Sequence, residues 1–144
     1  MKKLLFFICL YIFVLGCKNE RTEPLPEIKT IVGKWRLEAY ERTENGQTTW
    51  EKVSGNEPSY LSFRFDGVIL DSKGLPACCT PPAYKLNGTT FTVVPKADLP
   101  ENKQCYLVDC IGCASWDIEQ DGDEMIISIC KIGSRARYVR QVDQ

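Results

Sequence analysis

The chain has 144 residues, a formal net charge of -1, eight cysteines and no histidine. This length suits one domain with a single core. The mildly acidic balance, with its basic residues scattered, offers no electrostatic footprint for nucleic acid, and the missing histidine removes the usual general base and the commonest metal ligand. Composition therefore points away from an enzyme, and it calls for no cofactor and no metal.

Residues 1–16 carry Lys2 and Lys3, then an apolar run over 4–15, then Gly16 before Cys17. The run is short for a membrane-spanning helix and has the flanks of a secretory leader. Val14-Leu15-Gly16-Cys17 resembles the lipobox of bacterial lipoproteins, with Val14 where Leu is usual. The resemblance implies that Cys17 becomes the lipidated first residue, held on the bilayer by acyl chains at about 0.8 kcal/mol per buried methylene. Without Lys2 and Lys3 the remainder carries -3. Residues 17–30 are charged, contain Pro24 and Pro26 and show no apolar period, which reads as a tether. Lys18 followed closely by Glu20 resembles the signals that send some lipoproteins to the outer face of the outer membrane. The expected location is the outer membrane, facing the periplasm or the cell surface.

From residue 31 the pattern is all β. Ile31, Gly33, Trp35, Leu37 and Ala39 alternate with Lys34, Arg36 and Glu38, the signature of a half-buried strand. Asn45-Gly46, Asp66-Gly67, Asn87-Gly88 and Asp121-Gly122 favour two-residue hairpin turns, whose central positions require positive φ. A two-residue loop also fixes the facing residues. It sets Phe65 against Val68 and Phe63 against Leu70 around Asp66-Gly67, and Tyr84 against Phe91 around Asn87-Gly88. Around Asp121-Gly122 it sets Ile118 against Met125, Trp116 against Ile127 and Ala114 against Ile129. All of these pairs are apolar with apolar. At Asn45-Gly46 the same test would put Trp50 against Glu41 and Lys52 against Ala39, so a longer or bulged loop is expected there. Residues 72–82, with Pro76, Cys78, Cys79, Pro81 and Pro82, cannot form a central strand and read as a tied loop. No helix of normal length is expected after the leader.

Gly33-Lys34-Trp35 on the first strand, Leu61-Ser62-Phe63-Arg64-Phe65-Asp66-Gly67, Tyr84-Lys85-Leu86-Asn87-Gly88, Trp116-Asp117-Ile118 and Arg137-Tyr138-Val139-Arg140 follow the leader and tether in order. Together they resemble the small bacterial lipocalin-like lipoproteins over most of residues 31–142. The resemblance implies an up-and-down antiparallel β-barrel of about eight short strands, occupying residues 31–144, with an interior site for a small apolar ligand. It also implies a barrel floor in which an arginine of the last strand, Arg137 or Arg140, covers Trp35 beside Gly33. Phe63, Phe65, Tyr84, Phe91 and Trp116 are the candidate ligand-lining aromatics, the alternative being that they fill the barrel.

The six cysteines after Cys17 read as a disulfide framework in an exported domain. Counted outward from Asp121-Gly122, Cys113 falls opposite Cys130 in a non-hydrogen-bonded pair, close enough for a bridge. Cys78 and Cys79 are then each expected to reach Cys105 or Cys110, in either arrangement. Cys110-Ile111-Gly112-Cys113 precedes a hairpin strand, not the helix that a thioredoxin-type site needs. Asp121, Asp123 and Glu124 read as solvated turn residues. The function expected is a membrane-anchored binding protein for a small apolar ligand. The alternative is a non-catalytic envelope interaction protein with a filled barrel and a Cys-rich contact loop.

Overall fold

The computed structural model describes residues 23–55, 57–130 and 134–142; the expected leader, residues 1–16, and Cys17 lie outside them. Among the described residues nine strands make one sheet: β1 (Gly33–Glu44), β2 (Gln47–Lys52), β3 (Tyr60–Phe63), β4 (Ile69–Leu70), β5 (Ala83–Leu86), β6 (Thr89–Thr92), β7 (Trp116–Asp121), β8 (Glu124–Ile129) and β9 (Ser134–Arg140). Their order is β4-β3-β1-β9-β8-β7-β5-β6, with β2 pairing β1 on the edge it shares with β3. The sheet curls into a half-barrel, with β4 and β6 as its two free ends. Helical structure among the described residues is limited to two short 3-10 turns, Pro26–Ile28 and Lys103–Leu107.

One pairing departs from a purely antiparallel, up-and-down order. β5 and β7 are parallel, with Tyr84 opposite Trp116 and Leu86 opposite Ile118. The cause is the long connection over residues 93–115, which leaves β6 at the outer edge and returns to place β7 on the other side of β5. Parallel neighbours require a crossing of this kind, which a tight turn cannot supply.

β1 organises the sheet, alternating as its sequence demands with Trp35, Leu37 and Ala39 buried. Ile28, Ile31, Trp35, Phe63, Tyr84, Ile118, Met125 and Ile127 fill the hollow of the curl. Each such side chain contributes about 1.5–3 kcal/mol of burial free energy. The described end of the expected tether joins this body: Leu25 N–H donates to Phe65 O at 3.0 Å, and Ile28 is fully buried.

The turns show which sequence rules governed register. Asn87-Gly88 behaves as expected and sets Tyr84 opposite Phe91. Asn45-Gly46 is also a two-residue turn, both residues having positive φ, and Glu41 does face Trp50 while Ala39 faces Lys52. The expected longer loop is corrected because the mismatched pair is satisfied sideways from β9. Arg135 Nη1 bonds Glu41 at 2.9 Å, and the Arg137 guanidinium lies over Trp50.

At Asp66-Gly67 the loop has three residues, so Phe63 faces Ile69 instead of Leu70. Arg64 and Val68 close it, with Arg64 N–H donating to Val68 O at 2.8 Å, and Gly67 takes the left-handed position at φ +87°. At Asp121-Gly122 the turn moves on to Gly122-Asp123, giving Trp116 opposite Ile129, Ile118 opposite Ile127 and Gln120 opposite Met125. The slip is even, so the same side chains stay on the core face although every partner changes.

Candidate functional site

Three of the residues expected at a barrel floor, Gly33, Trp35 and Arg140, converge. Gly33 has φ +125°, a conformation that favours glycine, and a Cβ there would come within 3.3 Å of Arg140 Nη1. Trp35 is fully buried and its indole N–H donates to Ile31 O at 2.7 Å. The Arg140 guanidinium stands 4.2 Å from the Trp35 ring, with Nη1 donating to Val32 O at 3.1 Å, Nη2 donating to Thr30 O, and Nε donating to Asp123 at 3.0 Å. The arginine over Trp35 is therefore Arg140. Arg137 lies 4.3 Å over Trp50 on the other face. A register shift between Leu37 and Ala39 separates the two: Leu37 pairs with Tyr138 before it, and Ala39 with Arg137 after it.

Four of the five candidate aromatics meet in the core. Phe63 and Tyr84 are edge to face at 5.7 Å between centroids, Tyr84 and Phe91 are stacked at 6.5 Å, and Trp116 belongs to the same buried cluster. The Tyr84 hydroxyl donates to Gly67 O at 2.7 Å. Burial, helped by the Asp66 carboxylate, pushes its titration well above that of an ordinary phenol. Phe65 stands apart in the turn, with the Arg64 guanidinium 5.4 Å from its ring. These rings occupy the interior of the curl; they do not surround an open calyx.

All six described cysteines lie at disulfide distance in three pairs: Cys78 with Cys105, Cys79 with Cys110 and Cys113 with Cys130, at Cα separations of 5.2, 5.2 and 5.3 Å. Cys110 and Cys113 thus have separate partners. The third pair is the one expected, but its geometry differs. With the turn moved on, the residue beyond the Trp116–Ile129 pair is Ser115, and Cys113 reaches Cys130 from the loop ahead of β7. Cys130 adopts φ +57° just past the end of β8.

Two features had no clear signal in the sequence. Asp66 is completely buried and accepts from Arg64 Nε at 2.8 Å, Arg64 Nη2 at 2.6 Å, Lys96 N at 2.7 Å and Val68 N at 3.4 Å. Arg64 also reaches Ala97 O at 3.1 Å and Asp98 O at 3.4 Å. This buried ion pair latches the segment after β6 onto the turn between β3 and β4. Burial alone would raise the Asp66 pKa, but the hydrogen bonds from Arg64, Lys96 and Val68 and the charge of Arg64 outweigh it and hold the carboxyl below its usual range.

The second feature is the presentation of the Cys-rich connection. Asn102 is buried, caps the 3-10 turn by accepting from Gln104 N at 3.2 Å, and donates to Pro76 O at 2.9 Å. With Cys105 and Cys110 bonded to the facing loop, the outward side chains have no apolar cover. Tyr106 is 75% exposed, Leu107 88% and Ile111 75%. Beside this loop, at the seam between the free ends of the sheet, lies a cleft of about 320 Å³ whose walls include Ile69, Pro76, Pro82, Tyr84, Val93 and Leu99. Among the described residues, no group of three or more cysteine or acidic side chains is placed to hold a metal ion.

No protein-family model, curated protein or solved structure matches the chain.

Proposed function

We propose that the chain is an outer-membrane lipoprotein of lipocalin-like build, anchored through Cys17, that works as a non-catalytic interaction protein. In this reading the curled sheet is a filled scaffold, and the contact element is the Cys-rich loop that it carries. The Gly33, Trp35 and Arg140 arrangement supports the lipocalin-like floor, and the packed Phe63, Tyr84, Phe91 and Trp116 oppose a ligand inside the barrel.

The observation that carries the reading is the exposure of Tyr106, Leu107 and Ile111 on a loop fixed by two disulfides. Large apolar side chains displayed on a rigid element lose little conformational entropy on docking, and such residues form the energetic centre of interfaces. The partner is an envelope protein with an apolar depression.

The test is a photo-crosslinking amino acid at position 107 of the full chain in its host envelope, compared with one at position 48 on β2. A discrete adduct from position 107 that is missing from position 48 is the expected result. No adduct from 107, or the same adducts from both positions, overturns the reading.

A further inference from the structure

Cys110-Ile111-Gly112-Cys113 has Cys-x-x-Cys spacing, yet its two cysteines are not joined to each other: Cys110 pairs with Cys79 and Cys113 with Cys130. Those two bridges differ from Cys78–Cys105 in their backbone. Four non-glycine residues among those described have positive φ. Asn45 and Asn87 are of a type that accepts it in turns. Cys79, at φ +62°, and Cys130, at φ +57°, are not, because Cβ is there brought too close to the following carbonyl oxygen. The two strained cysteines are thus the two partners of the Cys-x-x-Cys pair, and neither Cys78 nor Cys105 is among them.

Access follows the same division. Of the six described cysteines Cys110 alone is exposed, the others being half-buried. Strained and exposed disulfides are the more easily reduced. The Cys78–Cys105 bridge is better protected: Asn102 beside it is buried, donates to Pro76 O at 2.9 Å and places Nδ2 4.0 Å from Cys78 Sγ. Residues 108–115 form neither helix nor strand, and a Cβ on Gly112 would meet nothing within 4 Å, so this segment has room to turn back on itself. A freed Cys110 thiolate is held near Cys113 by the chain between them, which makes its attack there intramolecular.

From this placement we infer that Cys79, Cys110, Cys113 and Cys130 form a thiol–disulfide exchange site that takes two electrons from an external dithiol and ends with Cys110 bonded to Cys113. A thiolate of the dithiol attacks Sγ of the exposed Cys110, the Cys79–Cys110 bond breaks, and Cys79 leaves as a thiolate that takes up a proton. The second sulfur of the dithiol attacks its own partner in the mixed disulfide, which oxidises the dithiol to its disulfide and expels Cys110 as a thiolate. Cys110 then attacks Cys113 Sγ, and Cys130 leaves and is protonated. Two S–S bonds stand before and after, and the two protons of the dithiol end on Cys79 and Cys130. The exchange unties the Ile111 end of the loop from Cys79 and leaves Cys78–Cys105 in place. It does not depend on the loop contact proposed above.

The test treats the chain purified from its host, with bridges intact and any free thiol blocked beforehand, with one equivalent of dithiothreitol. New thiols are trapped with N-ethylmaleimide in acid and located by peptide mass spectrometry without reduction. Cleavage after Asp109 and Asp117 separates Cys110 and Cys113 from the other four cysteines, so a bridge between them is read as an internal disulfide of one short peptide. The expected product carries that bridge, with Cys79 and Cys130 alkylated and Cys78–Cys105 intact, and exceeds every other two-thiol product by about tenfold or more. Alkylation of Cys79 and Cys110 with Cys113–Cys130 intact, opening of Cys78–Cys105 to a similar extent, or reduction of all three bridges together with no two-thiol product overturns the inference. The Cys79→Ser, Cys130→Ser double variant tests the closure without the reductant: it is expected to hold Cys110–Cys113 as a bridge after oxidation in air, and two free thiols at these positions overturn the inference. The wild-type mapping decides the matter independently of whether the variant folds.

Discussion

Replacing Asp66 by asparagine keeps the outline of the side chain and removes the charge on which the latch depends. The carboxylate has no contact with solvent and accepts four hydrogen bonds, two from Arg64 and two from backbone N–H groups. An amide keeps one acceptor oxygen, turns an N–H₂ toward groups that are themselves donors, and leaves the Arg64 charge unpaired. Breaking a buried ion pair from one side costs about 3–5 kcal/mol. The Arg64 side chain retains 16% exposure and can recover some water, so the lower end, about 3 kcal/mol, is the expected loss.

The assay is equilibrium urea unfolding of both proteins with disulfides intact, followed by tryptophan fluorescence, over a range of pH. Because the folded-state pKa of Asp66 is depressed, its contribution is complete above the unfolded-state value of about 3.9 and is lost as pH falls through the folded-state value. The difference between wild type and Asp66→Asn should therefore be constant near neutrality and shrink in acid. A neutral-pH difference below about 1 kcal/mol, or one that fails to shrink in acid, would refute the assignment of Asp66 as the charged centre of the latch.

Other perturbations separate the remaining elements. Arg140→Ala removes the cation over Trp35 and the donors to Val32 and Thr30, and should cost about 2 kcal/mol with a shift in Trp35 emission, whereas Arg137→Ala should perturb Trp50 and leave Trp35 unchanged. Gly33→Ala should also destabilise by about 1–2 kcal/mol in thermal unfolding, because φ +125° strains any side chain and the new Cβ presses toward Arg140. Removing the Cys78–Cys105 and Cys79–Cys110 bridges as serine pairs should cost about 3–4 kcal/mol each at most, from sequence separations of 27 and 31, and should open residues 103–111 to protease. Leu107→Ser and Ile111→Ser should change stability by no more than about 0.5 kcal/mol, since neither side chain is covered.

Much of the frame was legible because it depends on local alternation. The period of β1, the buried Trp35 and the Tyr84–Phe91 pair all follow from nearest-neighbour rules along or across one strand pair. Register was legible at Asn87-Gly88, although the Asn87 side chain also bonds the Gln120 backbone, and was not at the two Asp-Gly turns. Asp66 also binds Arg64, and its hairpin has a three-residue loop; Asp123 also binds Arg140, and there the loop keeps two residues but lies one position further on, at Gly122-Asp123. Asn45-Gly46 misled in the opposite sense: an unfavourable facing pair was tolerated because Arg135 and Arg137, some ninety residues later, complete it. The pairing of Cys113 with Cys130 was reached by a register that the structure does not adopt. The parallel contact between β5 and β7, the latch and the seam cleft depend on where a long connection crosses, and no local rule specifies that path.

The claim that the stapled loop is the contact surface is tested most directly by the affinity of the partner captured at position 107 for the wild-type chain and for the Leu107→Ser, Ile111→Ser double variant. Removal of two exposed apolar anchors should weaken binding by about 2–4 kcal/mol, roughly thirtyfold or more, with unfolding unchanged. An affinity that stays the same in a folded double variant would contradict it.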